Sequence, residues 1–344
     1  MPNQETRRWV QRPPGSTWGD FGPDDQLGRL NLLTPEKVRQ GVVEVRDGRS
    51  FCLSLPLDYP GGNVLNPRRH PPRLRPTSRG EMPNWMFETG SEIPDATDVI
   101  CDDMATIWLQ YSTQWDSFAH AGGVFDANGD GRPEPVFYNG YRGGIEIPKP
   151  EGSGESLTSA TRALGIDNFA RHGMQGRGVL VDLRAHCGDD RVVVGYDRLM
   201  QIMEADGVTV ESGDMLCLHT GFSQRLLDWK RTPDPALVQS VCAVLDGRDT
   251  RLLQWITDSN ISALIADNYA VENHAGAKPS GRCAMLPLHE HCLFKLGLPL
   301  GEIWYLTELA GWLRANGRSR FMLTAPPLRL PGAVGSPATP IATV

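Results

Sequence analysis

The sequence predicts a mixed α/β fold with a central sheet flanked by helices, and three observations carry that prediction. Short β-rich apolar runs over 178–183, 214–220 and 261–267, bounded by glycine and polar residues, read as core strands. Segments of helical character lie between them. Over 110–120, Gln110, Ser112, Gln114 and Asp116 place an oxygen-bearing side chain at every second position, as on one face of a strand.

The remaining elements follow in chain order. Residues 1–25 are rich in Pro, Gly and Trp without periodicity and are expected to lie as an arm across another surface. Thr34-Pro35-Glu36 ahead of Val38, Val42 and Val43 predicts a helix over 34–45 with a Thr cap and an N1 proline. A strand over 50–57 follows, and then a Pro-, Arg- and Gly-rich stretch, 60–83, that reads as a long loop of the kind that serves as a lid. Helices are expected over 158–172, 196–204, 235–244 and 250–259, and another over 286–297, closed by Gly297. Gly297–Gly301 then turns the chain into a strand that begins at Glu302. With no internal repeat or low-complexity linker, one domain over 26–325 and a C-terminal tail over 326–344 are expected.

Composition narrows the function. A chain of 344 residues, 40% hydrophobic and 22% charged, can bury a sizeable core. Its net charge of −7 argues against a nucleic-acid groove or an anionic membrane surface and leaves a small neutral or cationic ligand open. The expected partner is a small-molecule substrate, and a homodimer or homotetramer is expected. Seven scattered cysteines with no C-x-x-C pair read as reduced thiols. The first residues lack the apolar core of a signal peptide, and no apolar run approaches the roughly 18 residues of a membrane span, so a cytoplasmic protein is expected.

A buried polar row needs partners: a hydrogen-bond network, a cation or the water of a cleft. A cation in a cleft is the preferred reading. In the 286–297 helix, Cys292, Leu293 and Leu296 follow His289 at helical spacing, so His289 lies on the apolar stripe, and His291 sits with Glu290 and Lys295 on the wetter side. Glu302 is a carboxylate in an apolar strand and also needs a partner. Helix, turn and returning strand can bring His289 and Glu302 to one point, with Asp116 as third ligand of a divalent metal. Asp126-Ala-Asn-Gly-Asp-Gly131 opens like a calcium loop but has Phe137 where the bidentate Glu belongs, so it reads as a turn. Neither a dinucleotide G-x-G-x-x-G nor a G-x-S-x-G elbow occurs. His219 and Asp267 read as a satisfied core histidine and a cap.

Taken together, 24–34, 110–120, 176–182, 213–221 and the 289–302 unit resemble the putative cyclase family, which contains the bacterial kynurenine formamidases and isatin hydrolases. The resemblance spans most of 18–310. It implies a swivelling β/β/α fold and a metal-activated water that hydrolyses amide or lactam bonds, with a motif H-x-G-T-H-x-D-x-P-x-H. Laid on this chain, the motif puts Gln110 and Gln114 at two histidine ligands, Ser112 at the glycine, Asp116 at the aspartate, Phe118 at the proline and His120 at the last histidine. It implies that Asp116, His289 and Glu302 hold one ion, with His120 as acid/base residue.

Glutamine offers a neutral carbonyl oxygen, a poorer zinc ligand than imidazole. Asp116, Glu302, Gln114 and Gln110 with the single imidazole of His289 suit Mn²⁺ or Mg²⁺ better, and one Mn²⁺-like ion is expected. The other branch is a metal-free family member. Trp18, Phe21, Trp85, Phe87 and Tyr138, in irregular segments, are candidates for an aromatic pocket or for dimer anchors. The expected activity is hydrolysis of an amide, lactam or lactone of a small molecule, with aromatic substrates among the candidates. The alternatives are a lyase or isomerase that uses the ion to stabilise an enolate, and a binding protein without turnover.

Overall fold

The apolar runs become neighbouring parallel strands at the centre of a nine-stranded sheet. A computed structural model describes residues 7–274, 281 and 283–344. The strands are β1 (Ser50–Cys52), β2 (Gln114–Asp116), β3 (Gln175–Asp182), β4 (Met215–His219), β5 (Ala263–Ala266), β6 (Leu300–Glu302), β7 (Arg320–Thr324), β8 (Gly335–Pro337) and β9 (Ile341–Thr343). Their order is β1-β9-β7-β3-β4-β5-β6-β2-β8. β3 to β6 are parallel, and every other neighbouring pair is antiparallel. β4 and β5 are buried along their whole length, as apolar runs without alternation require.

Helix α1 (Pro35–Val43) starts where the sequence places it, with the Thr34 hydroxyl accepting the Lys37 N–H and Pro35 at N1. It crosses β3 and β7. Gly41 makes the crossing close: a Cβ there would lie 2.6 Å from Met322 Sδ and 2.8 Å from the Gly176 backbone. Helices α2 (Tyr196–Ala205) and α3 (Thr250–Ser259) pack on each other. The Asp249 side chain caps α3, which Asn260 ends in a left-handed conformation. Beneath α1 lies a buried ionic cluster. Asp214 accepts Lys37 Nζ at 2.9 Å and Arg177 Nε and Nη2 at 2.8 and 3.0 Å, tying α1, β3 and the start of β4 together.

Several expectations change. The strand over 110–120 is extended only at Gln114–Asp116, because the Thr113 hydroxyl donates to Ile303 O and accepts the Leu55 N–H, contacts that hold 110–113 in a turn. The 158–172 helix is confined to Asp167–His172. Residues 235–244 form turns and then pair Val244–Leu245 with Val193–Val194, with Cys242 at a φ of 60° that no helix tolerates. The supposed loop over 60–83 carries strand pieces: Arg73–Pro76 pairs with Asp103–Thr106, and Ser78–Arg79 with Met82–Pro83. The stretch expected as a tail, 326–344, instead supplies β8 and β9 to the central sheet. Residues 1–6 of the arm fall outside the described residues; Trp9 and Trp18 of the remainder are buried. No described helix is long and apolar enough to cross a membrane.

Candidate metal centre

Strand register builds the site. Gln114 stands opposite Glu302 on β6, and Asp116, two residues on, projects from the same face. Gln114 Nε2 donates to Glu302 Oε2 at 3.1 Å. On the other side of β2, Gly335 of β8 faces Asp116, and an ideal Cβ at Gly335 would lie 2.4 Å from Gln110 Nε2, so the Gln110 side chain packs over that same face. His289 arrives from a helical segment that begins as Pro287–His289 and continues as a π-helix, Glu290–Leu296. Gly297 closes it at a φ of 55°, where its bare Cα also makes room for the Tyr138 ring.

Asp116, His289 and Glu302 are all buried and each offers a ligand atom within 4.8 Å of the others. His289 Nε2 lies 3.2 Å from Glu302 Oε1. Both Asp116 oxygens and Gln114 Oε1 are buried without a hydrogen-bond partner among the described residues. Leaving a buried carboxylate unpaired is costly. Three unpartnered oxygens beside a second carboxylate and an imidazole therefore fit a divalent cation. Burial, reinforced by the Glu302 charge, raises the Asp116 pKa, with His120 opposing. Burial alone would also raise Glu302, but the hydrogen bond and charge of His289 outweigh it and lower its pKa. Burial would lower His289; instead Glu272 and Glu302 raise it to about 10. His120 stands at the rim, Nε2 3.9 Å from Asp116 Oδ1, with its side chain partly exposed.

The sequence reading missed Glu272. Its Oε1 lies 2.8 Å from His289 Nδ1 and accepts the His289 main-chain N–H, and its Oε2 accepts the Leu288 N–H. One carboxylate thus caps the helical segment and turns Nε2 of His289 toward Glu302. Val271 and Ile303, β-branched neighbours of Glu272 and Glu302, both take left-handed backbone conformations (φ 57°). Such strain persists only where the surroundings enforce it, and it collects at functional sites. The available signal was chemical: a ligand histidine ordinarily gives its other nitrogen to a carboxylate. We expect Glu272→Gln to weaken Mn²⁺ binding about 10- to 100-fold in a competition titration; unchanged affinity would contradict the orienting role.

The other candidates disperse. Trp18 is core, its Nε1 donating to Phe294 O at 2.8 Å and its ring edge-on to Phe294. Tyr138 is equally buried against Phe118, its hydroxyl 3.1 Å from Asp25 Oδ2. Phe21 is half-buried in the arm, and Phe87 is buried beneath the Arg79 guanidinium. Trp85 is exposed in the segment between the paired strand pieces. These five do not form one pocket, because Trp18 and Tyr138 fill the hydrophobic core while Trp85 stands exposed. Asp126 accepts N–H groups from Gly129, Asp130 and Gly131, a turn. His219 pairs with Asp182 at 2.7 Å, and Asp267 accepts the Thr220 and Gly221 N–H groups.

His291 is buried, not on a wet side, since the π-helix widens the winding and shifts the stripe. Its Nε2 lies 2.9 Å from Thr257 Oγ1. Burial and then Lys295 lower its pKa to about 4. A histidine ordinarily titrates near 6.5, so between about pH 6.5 and 4 the unfolded chain binds the extra proton, and stability falls as pH falls through that window. His291→Gln should remove part of the loss in denaturant midpoint between pH 7 and 4.5; an identical loss would contradict this.

Residues 52–273 match a family model described as putative cyclase. Gln114, Asp116 and Glu272 lie inside the match, and His289 and Glu302 beyond it. A crystal structure described as a novel cyclase shares 29% identity, covering 97% of this chain and all of its own, with a TM-score of 0.73. Isatin hydrolase A from Labrenzia aggregata, bound to benzyl benzoate, shares 14% identity over 86% of this chain and 93% of its own, TM-score 0.56. An isatin hydrolase bound to the product analogue thioisatinate shares 12% over 88% and 94%, TM-score 0.52. At those identities the isatin hydrolases show a shared fold. No functionally curated protein matches the chain.

Proposed function

The chain belongs to the putative cyclase family, and on that premise we propose that it is a metal-dependent hydrolase that opens an amide, lactam or lactone bond of a small molecule. The observation that supports this reading most is Asp116: a buried carboxylate with both oxygens unpartnered, within reach of His289 and Glu302. Asp116, His289 and Glu302 hold the ion, with Gln114 Oε1 beside them. Bound there, a divalent ion lowers the pKa of water and polarises the scissile carbonyl. The oxygen-rich donor set favours Mn²⁺ over Zn²⁺.

The chain's own groups divide the remaining work. Gln114 Nε2 holds Glu302 Oε2 in place, and Glu272 fixes the His289 ring. His120, at the rim and close to Asp116, takes the proton from the attacking water and returns it to the leaving nitrogen or oxygen at Nε2. Burial of the carboxylates excludes competing water and strengthens each electrostatic contact. The test is incubation of the Mn²⁺-loaded protein with cyclic amides and lactones in ¹⁸O-labelled water. One label in the new carboxylate is the expected product; turnover without label would replace hydrolysis by lyase or isomerase chemistry, and ligand binding without turnover would replace it by a binding function.

A further inference from the structure

We propose that the ribbon raised over residues 73–106 is a self-association surface, which packs on the same ribbon of a second copy of this chain about a two-fold axis. The inference is independent of the metal centre. Arg73–Pro76 and Asp103–Thr106 pair only with each other, and every residue of both strands is exposed. A two-stranded ribbon without further support is marginal in water. This one is held at its base, where Arg69 Nη1 donates to Gln110 O at 2.6 Å and the rings of His70 and Trp108 meet edge-on at 5.1 Å. Further out, buried Asn84 donates through Nδ2 to Asp102 Oδ2 at 2.7 Å, and its main chain bonds Thr77 O and the Asp102 N–H. The ribbon is therefore preformed, which lowers the cost of docking it.

Its outer surface is apolar. Leu74, Met82, Trp85, Met86, Ile93 and Met104 are exposed, Leu74 by 71% and Met86 by 68%. Leu74, Pro76, Pro83 and Trp85, with Arg75 and Asp103, line an open groove of about 480 Å³. Clustered apolar surface of this kind marks a docking face, and Trp, Met and Arg are residues that interfaces gather.

Charge identifies the occupant. Residues 66–80 hold five arginines and no acid, and residues 81–106 hold seven acids and no Lys or Arg, so the outgoing strand is basic and the returning strand acidic. A ribbon divided in this way complements itself. When two copies stack face to face about a two-fold axis along the strands, each basic strand lies over the partner's acidic one, and every contact is made twice. The ribbon's single ion pair among the described residues, Arg79 to Glu92 at 3.5 Å, leaves Arg75 and Asp103 without a charged partner, although both line the groove. The two-fold axis sets Arg75 of one protomer beside the partner's Asp103.

Sedimentation equilibrium of the full chain over a dilution series tests this, with Tm recorded for each variant. Wild type should be a dimer that added salt loosens. Arg75→Glu and Asp103→Arg should each weaken it at least about 10-fold, because each places like charges together at two symmetric positions. Arg75→Glu combined with Asp103→Arg should restore the dimer, and Trp85→Ser should loosen it at unchanged Tm. A wild type that is monomeric at every concentration would overturn the proposal and leave the groove to a different protein. A dimer that the single reversals leave intact, or that the charge exchange fails to restore, would overturn it equally.

Discussion

Asp116→Ala and His289→Ala are each expected to lose the bound ion and at least about 100-fold in turnover, the usual consequence of removing the main electrostatic stabiliser of a reaction. His120→Ala should keep the ion and lose about 100-fold through proton transfer alone. The division follows from position. Asp116 supplies both of its buried oxygens to the cluster, and His289 is held by carboxylates at each ring nitrogen. His120 sits 3.9 Å from Asp116 at the partly exposed rim, where a proton can enter and leave. Elemental analysis beside initial rates separates the roles, and equal metal content in all three variants would contradict the ligand assignment.

Asp214→Ala is expected to cost about 3–5 kcal/mol of stability, the range for removing one partner of a buried ion pair. Asp214 has no solvent exposure, and the side chains of Lys37 and Arg177 that it binds are only 6% exposed. Loss of the carboxylate strands Lys37 entirely, whereas Arg177 keeps Glu211 as a second, more exposed partner at 2.7 Å. The Glu211 N–H that bonds Asp214 Oδ2 loses its acceptor too. Because α1 meets β3 and β4 at this cluster, the damage reaches the parallel core. Guanidinium unfolding measures it; a loss below about 1 kcal/mol would mean that the cluster relaxes into water.

Local chemistry made much of this fold legible. Thr34, Pro35 and Gly297 mark helix ends because caps act within a turn of the chain, and the apolar runs of β3 to β5 announce themselves because strands buried on both faces need apolar side chains on both. The strand carrying Asp116 is shorter than its alternation suggests, since bonds from Thr113 to residues 55 and 303 decide where extension begins. Residue type and the family motif singled out Asp116, His289 and Glu302, but the meeting of strand and helical segment depends on sheet order. Glu272 was missed for that reason: a ligand histidine calls for a carboxylate at its other nitrogen, but the fold beneath Leu288 and His289 decides which one, and no spacing rule marks it. The aromatic candidates failed on the opposite ground. Large rings in irregular sequence look exposed, yet Trp18 and Tyr138 are buried because they wedge the arm and the segment after β2 against the His289 helix.

The most direct measurement is a metal count per chain on protein purified without chelator and dialysed against Mn²⁺. About one manganese in wild type and none in Asp116→Ala is the predicted result; a wild-type chain that holds no metal under any condition would contradict the account.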